Sequence, residues 1–221
     1  MYFADRAEAG SRLAERLLLR ADTQEVLVVG LPRGGVPVAA EVAQALGASL
    51  DILVVRKLGV PLQPELGMGA IGEQHVRVIN QAVLHETRTS DEELAEVEAR
   101  ERVELERRVR RYRGDRPPVP LTGRTVVIVD DGIATGSTAR TACLIARRQG
   151  AARIVLAVPI APRGWEGRFH DVADELVCLD TPAQFFGIGQ FYADFSQTTD
   201  AEVSACLRRA NQPTGHGVQP A

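Results

Sequence analysis

Four short runs of uniformly apolar, mostly β-branched residues constrain the fold of this chain more than any other feature. They lie at residues 26–29, 52–55, 126–129 and 154–158. Apolar side chains with no polar alternation are the pattern of strands buried on both faces of a parallel sheet. Helical segments are expected after the first run at 34–46, after the third at 137–149 and after the fourth at about 164–171. Strand, loop and helix repeated in this order predict a doubly wound, mostly parallel α/β fold. Gly47 and Gly150 stand where helix C-terminal caps belong. The 221 residues suit a single domain, expected over 1–211, with a disordered tail at 212–221.

Two stretches break the rhythm. Residues 58–74 are rich in Gly and Pro and read as a long mobile loop. Residues 89–113 read as a charged helix opened by a Ser90 cap, with Asp91, Glu92 and Glu93 in its first turn. Glu98/Arg102, Glu104/Arg108 and Glu106/Arg110 are spaced for i,i+4 pairing. Leu94, Val97, Leu105, Val109 and Tyr112 leave a thin apolar stripe for docking on the core or on a partner subunit. Acids and bases nearly cancel along this helix, and the whole chain carries a net charge of −3. Neither nucleic acid nor an anionic membrane surface is therefore an expected partner. Cys143, Cys178 and Cys206 are widely spaced and form no metal-ligand pattern, so they read as thiols of a reducing compartment. No run approaches the ~20 apolar residues of a membrane span, and the first twenty residues lack the apolar core of a signal peptide. A cytoplasmic location is the expectation.

The richest chemical signal is the string from Val126 to Thr138: a buried strand, the acid pair Asp130-Asp131, a turn of small residues, then a helix. Open α/β sheets bind ligands at the carboxyl ends of their strands. The turn offers backbone N–H groups at a helix N-terminus, where the helix dipole favours an anion. Thr135, Ser137 and Thr138 add hydroxyl donors, and Gly136 lets a phosphate approach the backbone. The two carboxylates suit a diol or a hydrated Mg²⁺, which seek acceptor oxygens. A phosphate beside a diol describes a ribose 5-phosphate; the plainer alternative is an acidic turn capping a helix.

Two further segments carry positive charge or free N–H groups to the same edge. Gly30-Leu31-Pro32-Arg33-Gly34-Gly35 leaves the first strand and enters a helix. Arg56-Lys57 follows the second apolar run, which would place both cations at the strand ends beside Asp130. The chain has 25 arginines and one lysine, Lys57, which favours a role for a compact ammonium there over a snorkelling surface pair. The string Gly67-Met68-Gly69-Ala70-Ile71-Gly72 satisfies GxGxxG, but it follows a Pro-rich segment and no helix starts behind it, so a dinucleotide site is not expected.

The acid-pair string resembles the signature of type I phosphoribosyltransferases, the family of the adenine, hypoxanthine-guanine and orotate enzymes. The likeness covers roughly residues 25–195. With its Asp5-Arg6-Ala7-Glu8-Ala9-Gly10 opening, the whole chain also resembles a bacterial subfamily whose acceptors are unassigned. The resemblance implies that Asp130 and Asp131 hold the ribose hydroxyls and serve catalysis and Mg²⁺. It implies that Ala134, Thr135, Gly136, Ser137 and Thr138 wrap the 5-phosphate. Arg33, Gly34 and Gly35 would form the pyrophosphate loop, often built with a strained peptide bond, and Arg56 and Lys57 would contact pyrophosphate.

The segment from Phe185 to Phe195 resembles the part of the hypoxanthine-guanine enzymes that closes over the base. On that match residues 160–195 form a small hood, Trp165, Phe185, Phe186, Phe191 and Tyr192 could stack a flat ring, and Asp194 reaches Mg²⁺ through water. Asp200 stands where that family carries an arginine. Ala134 stands where the hypoxanthine-guanine enzymes carry an aspartate, which disfavours a 6-oxopurine acceptor. Glu65, Glu73 and His75 are candidate acids or bases for the acceptor.

The expected activity is Mg²⁺-dependent transfer of ribose 5-phosphate from phosphoribosyl pyrophosphate to an N-heterocycle or amine, in a homodimer. A sensor of phosphoribosyl pyrophosphate or nucleotide, or a ribose-phosphate hydrolase or phosphorylase, is the alternative.

Overall fold

A computed structural model describes residues 2–18 and 25–210. The central sheet has five parallel strands in the order β2-β1-β6-β7-β8. These are β1 (Val26–Gly30), β2 (Ser49–Ile52), β6 (Thr125–Val129), β7 (Arg153–Ile160) and β8 (Glu175–Asp180). Successive residues of a strand face opposite sides, so the apolar runs feed two cores. Val127 and Val129 join one core with α1 (Arg6–Leu18), α2 (Gly35–Leu46), α4 (Asp91–Arg113) and α6 (Asp200–Ala210). Val126 and Ile128 join the other with α5 (Ser137–Arg148), Trp165 and Phe169. Each fully buried Val, Leu or Ile side chain contributes about 1.5–3 kcal/mol of burial. Gly47 takes φ 60° at the end of α2 and returns its N–H to the helix carbonyls, as a left-handed cap does.

Several expectations are corrected. The second apolar run is not one strand. β2 ends at Ile52, Leu53 and Val54 lie outside any strand while remaining buried, and β3 (Val55–Val60) starts a separate antiparallel sheet with β4 (Gln63–Gly72) and β5 (Arg77–Ile79). Residues 58–74 are therefore mostly strand rather than a long loop. Their glycines permit close packing: a Cβ on Gly69 would lie 2.7 Å from the Val78 carbonyl oxygen, and one on Gly72 only 2.5 Å from Ile145. The GxGxxG string runs inside β4. The helix expected at 164–171 contracts to a short 3-10 turn, Trp165–Arg168. The hood is smaller than expected, because residues 175–180 form the edge strand β8 of the main sheet. The 212–221 tail lies outside the described residues.

The charged helix α4 forms as read. The Ser90 side chain accepts from the Glu93 N–H, and the Glu93 carboxylate accepts from the Ser90 N–H, a reciprocal capping box. Leu94, Val97, Leu105 and Tyr112 are buried in the core of this chain, with Val109 packed against it. Glu98–Arg102 and Glu104–Arg108 pair as spaced. A short helix α3 (Gln81–Thr87) leads into α4. At the far end Arg113 enters the interior and binds Asp51, Glu73 and the Ile52 carbonyl, tying α4 to the ends of β2 and β4.

Candidate functional site

The strand order reverses between β1 and β6. From β1 the chain passes to α2 on one face, and from β6 to α5 on the other. Two loops therefore diverge from neighbouring strand ends and leave a crevice between them, the position where open α/β sheets bind ligands.

The acid pair occupies that crevice. Asp131 is 8% exposed, and the Asp130 carboxylate accepts from the Asp131 N–H at 2.9 Å. Burial, reinforced by the neighbouring Asp131 charge, pushes the Asp130 carboxyl well above its usual range. Burial also pushes Asp131 up, against the opposing pull of Arg6. Tyr192 donates its hydroxyl to the Asp131 carbonyl at 2.7 Å, and burial raises its own pKa, so it remains a donor.

On one side of the pair the turn of residues 132–136 opens α5. Gly136 has φ 77°, and a Cβ there would lie 2.8 Å from the Phe169 ring, so packing and backbone conformation both demand glycine. The N-cap residue Gly136 has no side chain to cap the helix, and the Thr135 hydroxyl accepts from the Ser137 N–H at 3.5 Å. The helix start stands beside the exposed Thr135, Ser137 and Thr138 hydroxyls, with Ala134 adding no bulk. Arg168 donates to the Thr135 carbonyl at 3.0 Å and buttresses the turn.

On the other side the loop of residues 31–35 presses against the acids. A Cβ on Gly35 would sit 2.8 Å from the Asp130 Cα, and one on Gly34 only 2.0 Å from Asp131 Oδ2. Only glycine lets this loop reach the acid pair. The Pro32–Arg33 peptide bond is cis. Arg33 turns outward to Asp200 at 3.8 Å, and Arg111 pairs with the same carboxylate.

Arg6, the first residue of α1, is a site neighbour that sequence reasoning missed. Its Nε donates to Asp131 Oδ2 at 2.9 Å, and its Nη1 donates to the Ser196 carbonyl at 2.8 Å. Its guanidinium carbon lies 4.1 Å from the centroid of the Phe195 ring. The Asp5-Arg6 opening was visible in the sequence, but nothing local ties it to an acid 125 residues later.

Several other nominated residues have different partners. Arg56 donates to Glu101 of α4, with Nε at 2.9 Å, and Lys57 donates to the Glu65 carbonyl at 3.0 Å. Both lie in β3, which starts three residues beyond the end of β2, and line a 430 Å³ cavity against α4. Glu65 is exposed in β4. Glu73 is buried in the Arg113 ion pair, and its carbonyl accepts from Gln149 just beyond the far end of α5. A twelve-residue helix spans about 18 Å, so Glu73 and the adjacent exposed His75 stand at the opposite end of α5 from the phosphate cradle. Trp165, Phe191 and Tyr192 are core residues, Phe185 stacks on Phe191, and Phe186 alone of these aromatics is exposed, at 88%.

Asp194 is exposed, accepts from the Ser196 N–H at 2.8 Å, and is held below its usual range by that backbone bond. Among the described residues no group of three His, Cys, Asp or Glu side chains is placed to hold a metal. The acid pair thus forms no all-protein metal cage. Two adjacent carboxylates beside a helix start do fit a Mg²⁺ ion that shares its coordination with phosphate oxygens and water.

Residues 4–195 match the family model of the phosphoribosyl transferase domain. Two curated Mycobacterium tuberculosis proteins, each named "Putative phosphoribosyl transferase" (MT0597 and Rv0571c), are 56% identical over 210 residues, or 95% of this chain and 47% of theirs. The chain thus spans about half the length of these relatives. The crystal structure of TT1426 from Thermus thermophilus superposes with a TM-score of 0.85 at 42% identity, covering 95% of this chain and 99% of that one. No described helix is long and apolar enough to cross a membrane. An acid pair between two glycine loops, and a family match running through both, place this chain in the phosphoribosyl transferase domain family.

Proposed function

We propose that this chain transfers ribose 5-phosphate from phosphoribosyl pyrophosphate to an N-heterocycle or amine acceptor and releases pyrophosphate. The observation carrying this reading is the placement of Asp130 and Asp131 between a glycine loop that packs against them and the turn that opens α5. A donor with a phosphate at each end and a diol between them matches that order of groups. The α5 N-terminus and the hydroxyls of Thr135, Ser137 and Thr138 would hold the 5-phosphate. The loop of Gly34 and Gly35 would face the pyrophosphate, and the acid pair would orient the ring hydroxyls.

Displacement at C1 builds positive charge on the ribose and negative charge on the leaving group. The carboxylates would offset the first. Bound Mg²⁺ would add neutralisation of the departing pyrophosphate. Exposed Phe186, which follows the core-packed Phe185, offers a face for a flat acceptor.

A sensing role is a second reading, because Arg56 and Lys57 are engaged with Glu101 and Glu65 rather than turned to the acid pair. One assay separates the two. Pyrophosphate release is measured with phosphoribosyl pyrophosphate, Mg²⁺ and a panel of bases and amines, in parallel with calorimetry. Acceptor-dependent release that is abolished in Asp130→Asn supports the transferase. Donor binding without release across the panel supports the sensor, and absence of binding refutes both.

A further inference from the structure

Two adjacent carboxylates in a partly buried crevice ordinarily attract a cation, and here one is already supplied. Arg6 and Asp131 are each 12% exposed in their side chains and meet at 2.9 Å. The guanidinium is fixed at a second point by the Ser196 carbonyl and lies over the Phe195 ring. The backbone carrying it is fixed as well. Phe3 exchanges hydrogen bonds with Phe191 and Ala193, and the Ala4 carbonyl accepts from Asp194. Gly34 of the neighbouring loop is so close that a Cβ there would lie 3.3 Å from Arg6 Nε. A cation approaching Asp131 must therefore displace this guanidinium.

We propose that Arg6 is the resident counter-ion of the acid pair and that it excludes a free divalent cation from Asp131, so metal enters only together with a polyphosphate. The last clause rests on the phosphoribosyl pyrophosphate reading above; the exclusion itself does not. A divalent ion arriving alone would meet two carboxylates, one of them already bonded to a guanidinium that it must repel or evict. Among the described residues it would find no cluster of three metal-ligating side chains to complete its shell. A polyphosphate changes that balance, since it brings oxygens both for the metal and for the released guanidinium.

Mn²⁺ titrated into the full chain and followed by electron paramagnetic resonance tests this without any turnover. Arg6→Gln is expected to bind Mn²⁺ at least about tenfold more tightly than wild type, a conservative figure for removing a contacting positive charge. Adding Asp131→Asn to that variant should abolish the gain. Arg6→Lys, which keeps the charge, should still exclude the ion. Equal Mn²⁺ affinity in wild type and Arg6→Gln overturns the proposal, as does a gain that survives Asp131→Asn. If Arg6→Gln does not fold, Phe195→Leu removes the ring beneath the guanidinium and should raise Mn²⁺ affinity; no rise overturns the proposal. Wild-type protein should take up Mn²⁺ once phosphoribosyl pyrophosphate is added. An Arg6→Gln gain with no such uptake leaves the counter-ion standing and removes the donor reading.

Discussion

Replacing Arg113 by Met removes the charge at the centre of the most buried ionic cluster in the described structure. The Arg113 side chain is 3% exposed, against 8% for Asp51 and 9% for Glu73. The losses are unequal. Asp51 keeps hydrogen bonds from the Val119 and Ile52 N–H groups, at 2.9 and 2.8 Å, whereas both Glu73 oxygens lose the Arg113 guanidinium that binds them. The Ile52 carbonyl also loses its 3.0 Å bond to Nη2. Removing one partner of a buried pair costs about 3–5 kcal/mol, because the other charge stays behind. For a domain of this size each kcal/mol lowers Tm by about 2–4 °C, so a fall of roughly 6–20 °C is expected. Urea unfolding should show a lower midpoint at unchanged slope. Adding Glu73→Gln removes the stranded charge and should recover at least about 1 kcal/mol. A single variant within about 1 kcal/mol of wild type, or a double variant no more stable than the single, would refute the argument that the uncompensated carboxylate sets the cost.

Two further outcomes follow from packing around the strand ends. Gly34→Ala places a methyl 2.0 Å from Asp131 Oδ2, so the loop must retreat from the acids; donor affinity measured by calorimetry should fall at least about tenfold, while Tm moves little because the displaced backbone borders an open crevice. Burial pushes the Cys143 and Cys178 thiols up to about 12, so native protein at pH 8 should alkylate slowly at both positions and rapidly once unfolded, as peptide mass mapping would show.

The parts of this molecule that were legible in the sequence are those whose logic is local. The first, third and fourth apolar runs became β1, β6 and β7 because burial on both faces leaves no polar alternation. The turn of residues 132–136 could be read because a strand end, an acid pair and a helix start follow one another within a few residues. The second run misled because apolarity reports burial rather than strand: Leu53 and Val54 are 3% exposed and yet belong to no strand. The glycines of β4 suggested a loop, whereas their purpose is the close approach of Val78 and Ile145. Edge strand β8 escaped because only Val177 among its residues is fully buried. Glu73 was nominated for proton transfer on its type and its position in the expected mobile loop, and only the tertiary fold reveals that Arg113 already claims it. Arg6 carried no local cue at all.

The clasp that holds Arg6 also fixes an order of assembly. Its partners stand 125 and 190 residues away, and Phe3 pairs with Phe191. Contacts of such long separation are the slow ones in folding, since a large loop must close before they repay its entropy. On the ribosome, β1, β6 and the acid pair can come together while Phe195 and Ser196 are still being added. At about 5–20 residues per second, the nascent chain carries the two carboxylates for roughly 3–13 s before their clasp is made. The crevice therefore gains its counter-ion only after Ser196 has been made, and the first helix waits through 190 residues before its opening residue is locked in place.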